Sequence, residues 1–231
     1  VALMLLIVIS GCSKTKRAST DVSFCPPDNS VCAVQKGPNA PEVSTNKKEN
    51  KKFFEAVMKA DAATLKAMLK KNKGFLNIRN AKDATPLHVA TKVDKLDIVK
   101  LLVNEGADIN ALNDKKRTPL HAAATHNMVE IAKYLADNGA DLDARSDILS
   151  VPLHDAVVNN SLEIVKILVE KGANINAKSK MGMTPLTAAL MRNRKEIADY
   201  LMSKGAEYDK LAASDKTRSK IKNEAFCCEN L

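Results

Sequence analysis

Thr118-Pro119-Leu120-His121-Ala122-Ala123 occurs, with variations, four times at a fixed interval. Pro86, Pro119, Pro152 and Pro185 lie 33 residues apart, and Gly106, Gly139, Gly172 and Gly205 keep the same step. A constant period of this length predicts a solenoid of stacked units, each burying its apolar face on the next. It outranks any local propensity, so the chain reads first as a repeat protein.

Each copy carries its own start and stop signals. The openings are Thr85-Pro86-Leu87-His88, Thr118-Pro119-Leu120-His121, Val151-Pro152-Leu153-His154 and Thr184-Pro185-Leu186-Thr187. Threonine before proline predicts a helix start. Its hydroxyl caps an orphan N–H, and proline occupies a first-turn position where it gives up no bond. A second helix follows, as in Leu96-Asp97-Ile98-Val99-Lys100-Leu101-Leu102 and Leu162-Glu163-Ile164-Val165-Lys166-Ile167-Leu168, and ends at glycine, which suits a left-handed cap. The exit then reads Gly106-Ala107-Asp108-Ile109-Asn110-Ala111 and its equivalents.

Over about residues 53–209 these units resemble ankyrin repeats. The resemblance implies an all-α repeat solenoid in which paired antiparallel helices alternate with β-hairpin-like fingers. The expected divisions are an atypical unit 53–80, which lacks the Thr-Pro-Leu-His opening, and units 81–113, 114–146, 147–179 and 180–209. End units are expected to be atypical because one of their faces meets water. Three departures stand out. The interhelix turn holds Asp94, Asn127, Asn160 and Asn193 where the family has glycine; these residues tolerate the left-handed conformation, so the turn is expected to survive. The finger glycine survives only at Gly182, with Asp83, Lys116 and Leu149 elsewhere, so those fingers are expected to be distorted. Val151 cannot cap as threonine does, an expected cost of about 1 kcal/mol unless Ser150 compensates.

Composition fits thin, closely packed helices: 45% apolar residues, 3% aromatic and no tryptophan. The formal charge is +9. Residues 12–52 hold eight Lys/Arg against four Asp/Glu, residues 210–231 five against three, and the body 53–209 twenty-three against twenty. Most of the excess thus falls in the tails. No basic stripe of the kind a nucleic-acid binder needs is evident on the body, so nucleic acid is not expected as a partner.

Val1–Ile9 is an unbroken apolar run, too short to cross a bilayer, which takes about 20 residues. It fits the apolar part of an export signal, although the basic residues that open such signals are not present before it. Ile7-Val8-Ile9-Ser10-Gly11-Cys12 resembles the bacterial lipoprotein signal, the lipobox. That resemblance implies cleavage after residue 11, acylation of Cys12, and a place in the bacterial cell envelope. Ser13, a non-acidic neighbour, points to the outer membrane facing the periplasm. Multiple acyl chains anchor firmly, at about 0.8 kcal/mol per buried CH₂. Residues 12–52, rich in Ser, Thr, Lys, Asn and Pro, read as a flexible tether reaching roughly 35 Å. Cys25 and Cys32 could form a local disulfide in an oxidising compartment, a metal site being the weaker alternative. Residues 210–231 read as a polar capping helix or a disordered tail ending in Phe226-Cys227-Cys228.

The chain offers little for chemistry. His88, His121 and His154 recur with the period, but stacked helices lie about 8–10 Å apart. Metal ligands must each sit about 2 Å from the ion, so the three cannot share one. The ankyrin resemblance makes this histidine a structural hydrogen-bonding residue. Gly-x-Ser-x-Gly, a phosphate loop, Cys-x-x-Cys and His-Glu-x-x-His are all missing from the sequence, so neither catalysis, a cofactor nor a small-molecule substrate is expected. Function is expected on a surface that binds protein. The finger tips fall at residues 79–84, 112–117, 145–150 and 178–183. Ile148 and Leu149, beside Met181 and Met183, predict an apolar patch rimmed by Lys115, Lys116, Arg117, Arg192 and Arg194. The alternative is that Ile148 and Leu149 repack a finger that lacks its glycine. Two further functional classes stay open: an envelope protein that protects or stabilises a resident enzyme, and a secreted effector.

Overall fold

The computed structural model describes residues 46–207. The expectations for the signal, Cys12, Cys25, Cys32, most of the tether and the segment 210–231 lie outside them. Ten α-helices run in order through the described residues: α1 (Lys47–Lys59), α2 (Ala62–Lys71), α3 (Pro86–Lys92), α4 (Leu96–Asn104), α5 (Pro119–His126), α6 (Val129–Asp137), α7 (Pro152–Val158), α8 (Leu162–Glu170), α9 (Pro185–Met191) and α10 (Lys195–Ser203). A single 3-10 turn spans Lys73–Asn77, and no strand occurs among the described residues. The odd-numbered helices pack in one row, α1 on α3, α3 on α5, α5 on α7 and α7 on α9; α4, α6, α8 and α10 form a second. This is the stacked solenoid expected from the period, with the all-helical units that the ankyrin resemblance implied.

One continuous apolar core runs along the stack. Leu87, Leu120, Leu153 and Leu186 fill one column, and Leu102, Leu135, Leu168 and Leu201 another, every one essentially inaccessible to water. Each contributes about 1.5–3 kcal/mol relative to an exposed position. Alanines at 90, 123, 156 and 189 keep the helices thin enough to approach closely.

The first unit departs from the reading above. Helix α1 begins at Lys47, six residues before the apolar pattern at Phe53, so Lys47, Lys48, Lys51 and Lys52 belong to the fold and not to the tether. The Asn46 side chain accepts the Lys48 N–H at 3.2 Å, and Phe53, Ala56 and Val57 anchor the far end of the helix. Ala60, left-handed at φ 57°, ends α1, and Asp61 caps α2 by accepting the Thr64 N–H at 3.0 Å. Phe53 and Phe75 stack with ring centroids 5.1 Å apart, sealing this end of the core.

The turns keep their geometry without glycine. Asp94, Asn127, Asn160 and Asn193 all lie between φ 55° and 59°, as expected for the interhelix turn. The fingers do the same, against expectation. Asp83, Lys116 and Leu149 sit at φ 52°, 53° and 54°, in the conformation that Gly182 adopts at 72°. Hydrogen bonds impose it. In the finger without glycine, Leu149 donates to the Ser146 carbonyl at 2.9 Å and Ser146 to Ser150 at 3.0 Å; Gly182 donates to Ser179 at 2.9 Å and Ser179 to Met183 at 3.0 Å. These fingers are strained, not distorted.

Candidate interaction surface

Each finger is joined to its neighbour by one backbone bond. Asp114 donates to Lys82 at 3.3 Å, Asp147 to Lys115 at 3.0 Å and Lys180 to Ile148 at 2.9 Å. The histidine column pins the finger bases from below. Nε2 of His88, His121 and His154 meets the carbonyl of Arg117, Ser150 and Met183 at 2.8, 3.1 and 2.9 Å. Nδ1 faces the backbone N–H of the residue that opens the same helix, at 3.3 Å for Thr85, 3.1 Å for Thr118 and 3.5 Å for Val151. Because Nδ1 accepts, Nε2 carries the proton and donates. Each imidazole therefore ties its own helix start to the next unit's finger, the structural role implied by the resemblance.

A second column, on the exit turns, repeats the device. Asn110 Oδ1 accepts from the Asp141 N–H at 2.8 Å, Asp143 Oδ1 from Asn174 at 2.9 Å and Asn176 Oδ1 from Glu207 at 2.8 Å. Asp141 and Asp143, an acidic pair on the sequence, are thus parts of the scaffold.

The tips project from this rigid ladder. The register places Lys82, Lys115, Ile148 and Met181 in one column, and Asp83, Lys116, Leu149 and Gly182 in the next. Along the stack the first of these columns therefore changes from basic to apolar. Ile148 is 58% exposed, Leu149 42% and Met181 79%. Neither Ile148 nor Leu149 is buried in its finger. Met183 is half-buried, and its carbonyl serves His154, so it belongs to the finger base more than to the tip. Met191, at the end of α9, is 51% exposed and was missed by the sequence reading. Its signal was available: the column Lys92, Thr125, Val158, Met191 turns apolar in the same two units as the tips.

The predicted basic rim splits. Lys115, Lys116 and Arg192 are exposed. Arg117 instead folds inward to the Asp155 carboxylate and the Thr125 hydroxyl. Asp155 occupies a column otherwise filled by Val89, Ala122 and Ala188, and a lone acid there draws a cation over 38 residues of sequence. Arg194 likewise turns back, its Nη2 reaching the Val158 carbonyl at 3.4 Å. Neither of these arginines is a free rim cation. Helix α7 has no side-chain cap bond at Val151, so Ser150 does not make up the loss. Val151 is itself buried, which offsets part of the loss.

Residues 53–146 and 149–212 match the family model for ankyrin repeats (3 copies). The chain is an ankyrin repeat protein. No curated protein matches it.

In this ankyrin stack burial governs the titrating groups. It holds the His121 imidazole down at about 4 and those of His88 and His154 below their ordinary value, so all three stay neutral near pH 7. Burial likewise lifts the Asp155 carboxyl to about 6, against the pull of Arg117. No three His, Cys, Asp or Glu side chains converge on a metal-sized site among the described residues, and no helix there is long and apolar enough to cross a membrane. Ankyrin repeats are interaction modules, and nothing in the described residues points to catalysis.

Proposed function

We propose that this ankyrin protein is a lipid-anchored binding module of the bacterial cell envelope, acylated at Cys12, that holds a protein partner on its apolar finger tips and inner-helix face. The observation that carries the reading is Leu149. A bulky side chain in the left-handed conformation costs roughly 1–2 kcal/mol relative to glycine, and one that also stays exposed recovers little of that by burial. The residue harms the fold twice over, which is expected where the side chain serves something outside the fold. Its neighbours Ile148 and Met181 extend the same apolar surface, and Lys115 and Lys116 flank it with positive charge. The pinned finger bases make the surface rigid, so a partner would bind without first ordering it.

Two experiments test the two halves of the reading. Metabolic palmitate labelling should mark the protein and vanish in Cys12→Ala; labelling that persists in that variant contradicts the anchor. A photo-crosslinker at position 181 should trap a partner in living cells, and Ile148→Asp should abolish that adduct. An undiminished adduct contradicts the tip surface.

A further inference from the structure

The charge of the described residues is concentrated at one end of the stack. Residues 46–80 hold ten Lys/Arg and three Asp/Glu, a net +7, while residues 81–207 hold seventeen of each and are neutral. This asymmetry is hidden when Lys47, Lys48, Lys51 and Lys52 are counted with the tether, as their flexible-looking surroundings invite. All nine lysines of the first unit are exposed. Among the described residues only Lys51 and Lys73 of these have ion pairs, with Glu55 at 4.0 Å and Glu105 at 3.4 Å, and both pairs are open to solvent. Such pairs hold a cation weakly. Lys48, Lys51, Lys52 and Lys71 converge on an open hollow between α1, α2 and the 3-10 turn, floored by Met68 and Phe75. Glu49 and Glu55 lie in the same hollow and reduce its charge without cancelling it.

We propose that the first helical pair is a docking face for anionic lipid headgroups. Charge complementarity selects a polyanion, since a local +7 beside a neutral body produces a field directed from that unit alone. The position of the patch selects a lipid surface. Helix α1 starts at Lys47, directly after its cap Asn46, so its lysines are the first part of the described fold to follow Cys12 in sequence. A basic segment next to a membrane attachment gains attraction from every lysine near the headgroups. With the acyl chains already supplying affinity, the lysines set orientation: the first unit faces the lipid, and the last two units, with Ile148, Leu149 and Met181, extend away from it. That orientation rests on acylation of Cys12 as proposed above. The choice of a lipid surface over another polyanion rests on it too, while the docking itself is measured without the acyl chain.

The test is vesicle co-sedimentation of the full chain carrying Cys12→Ala, at low and at physiological salt. Vesicles of phosphatidylglycerol mixed with phosphatidylcholine are compared with phosphatidylcholine alone, which measures whatever the apolar residues 1–9 contribute. The expected result is salt-sensitive binding that depends on phosphatidylglycerol. The triple variant Lys48→Gln/Lys52→Gln/Lys71→Gln should weaken it about five-fold per lysine, roughly a hundred-fold in all. These three side chains are exposed, so an unchanged thermal midpoint should accompany the loss. A tether variant, Lys14→Gln/Lys16→Gln/Arg17→Gln, and the tip variant Ile148→Asp should retain most of the binding. Equal binding to neutral vesicles overturns the proposal, as does full binding by the triple variant. Loss confined to the tether or tip variant overturns it too, and so does competition in which polyglutamate strips the protein from vesicles at matched charge. If Cys12→Ala abolishes palmitate labelling but the vesicle result fails, the anchor stands and only the docking face is lost. The opposite pair of results leaves the face and removes the anchor.

Discussion

Fingers 145–150 and 178–183 share a backbone and differ in how they reach it. Both close with the same two hydrogen bonds, both have a base carbonyl bound by a histidine of the preceding unit, and both turn at a left-handed residue. In one that residue is Leu149, in the other Gly182. A Cβ built on Gly182 meets nothing within 4 Å, so space does not explain the choice. The pair separates what the scaffold demands from what it merely tolerates. It demands the turn and the carbonyl; it tolerates a leucine at a cost.

Breaking the base of one finger should have the largest effect. His121→Ala removes the bond to Ser150 and the contacts to Thr118 from a fully buried site, and should lower the unfolding free energy by about 3 kcal/mol in a urea titration. His154→Ala should cost a similar amount through the bond to Met183, loosening the other finger. A loss under about 1 kcal/mol for both would mean that the backbone ladder alone holds the fingers.

Acid should act on both bases together. The three column histidines have lowered values in the fold, so their contribution is complete above about pH 6.5 and is lost as pH falls towards about 4, the value of His121. Asp155 runs the other way: raised to about 6, it favours the fold increasingly as pH falls from there towards 3.8. Three groups outweigh one, so the urea midpoint should decline between pH 7 and pH 4. Asp155→Asn removes the opposing contribution and should steepen that decline. A shallower decline in this variant would contradict the assignment.

Exchanging the turn residues sharpens the comparison further. Gly182→Leu should destabilise by about 1 kcal/mol through backbone strain alone. Leu149→Gly should gain somewhat less, because glycine also loses more freedom on folding. Two changes of the same sign would show that the fingers are not equivalent.

The period made most of this legible from sequence: helix order and the turns at Asn127 and Asn160 follow from short-range chemistry repeated at a fixed step, and the ankyrin resemblance implied the role of the histidines. The start of α1 was legible in principle, since Asn46 followed by Glu49 has the spacing of a helix cap, but no apolar pattern marks it before Phe53. The fingers read as distorted because sequence displays the missing glycine and not the hydrogen bonds within each finger that impose its conformation. Arg117 read as a free cation because its partner Asp155 lies 38 residues away, visible only once the columns are laid side by side. The tip residues could be located from the period, but their exposure is a property of the stack.

The most direct measurement is a paired one on Ile148→Asp/Met181→Asp: unfolding free energy of the purified chain, and yield of the partner trapped from a crosslinker at position 116. Surface aspartates should leave stability within about 0.5 kcal/mol of the parent, while the trapped adduct disappears. Stability lost with the adduct intact would place these side chains in the service of the fold and contradict the account.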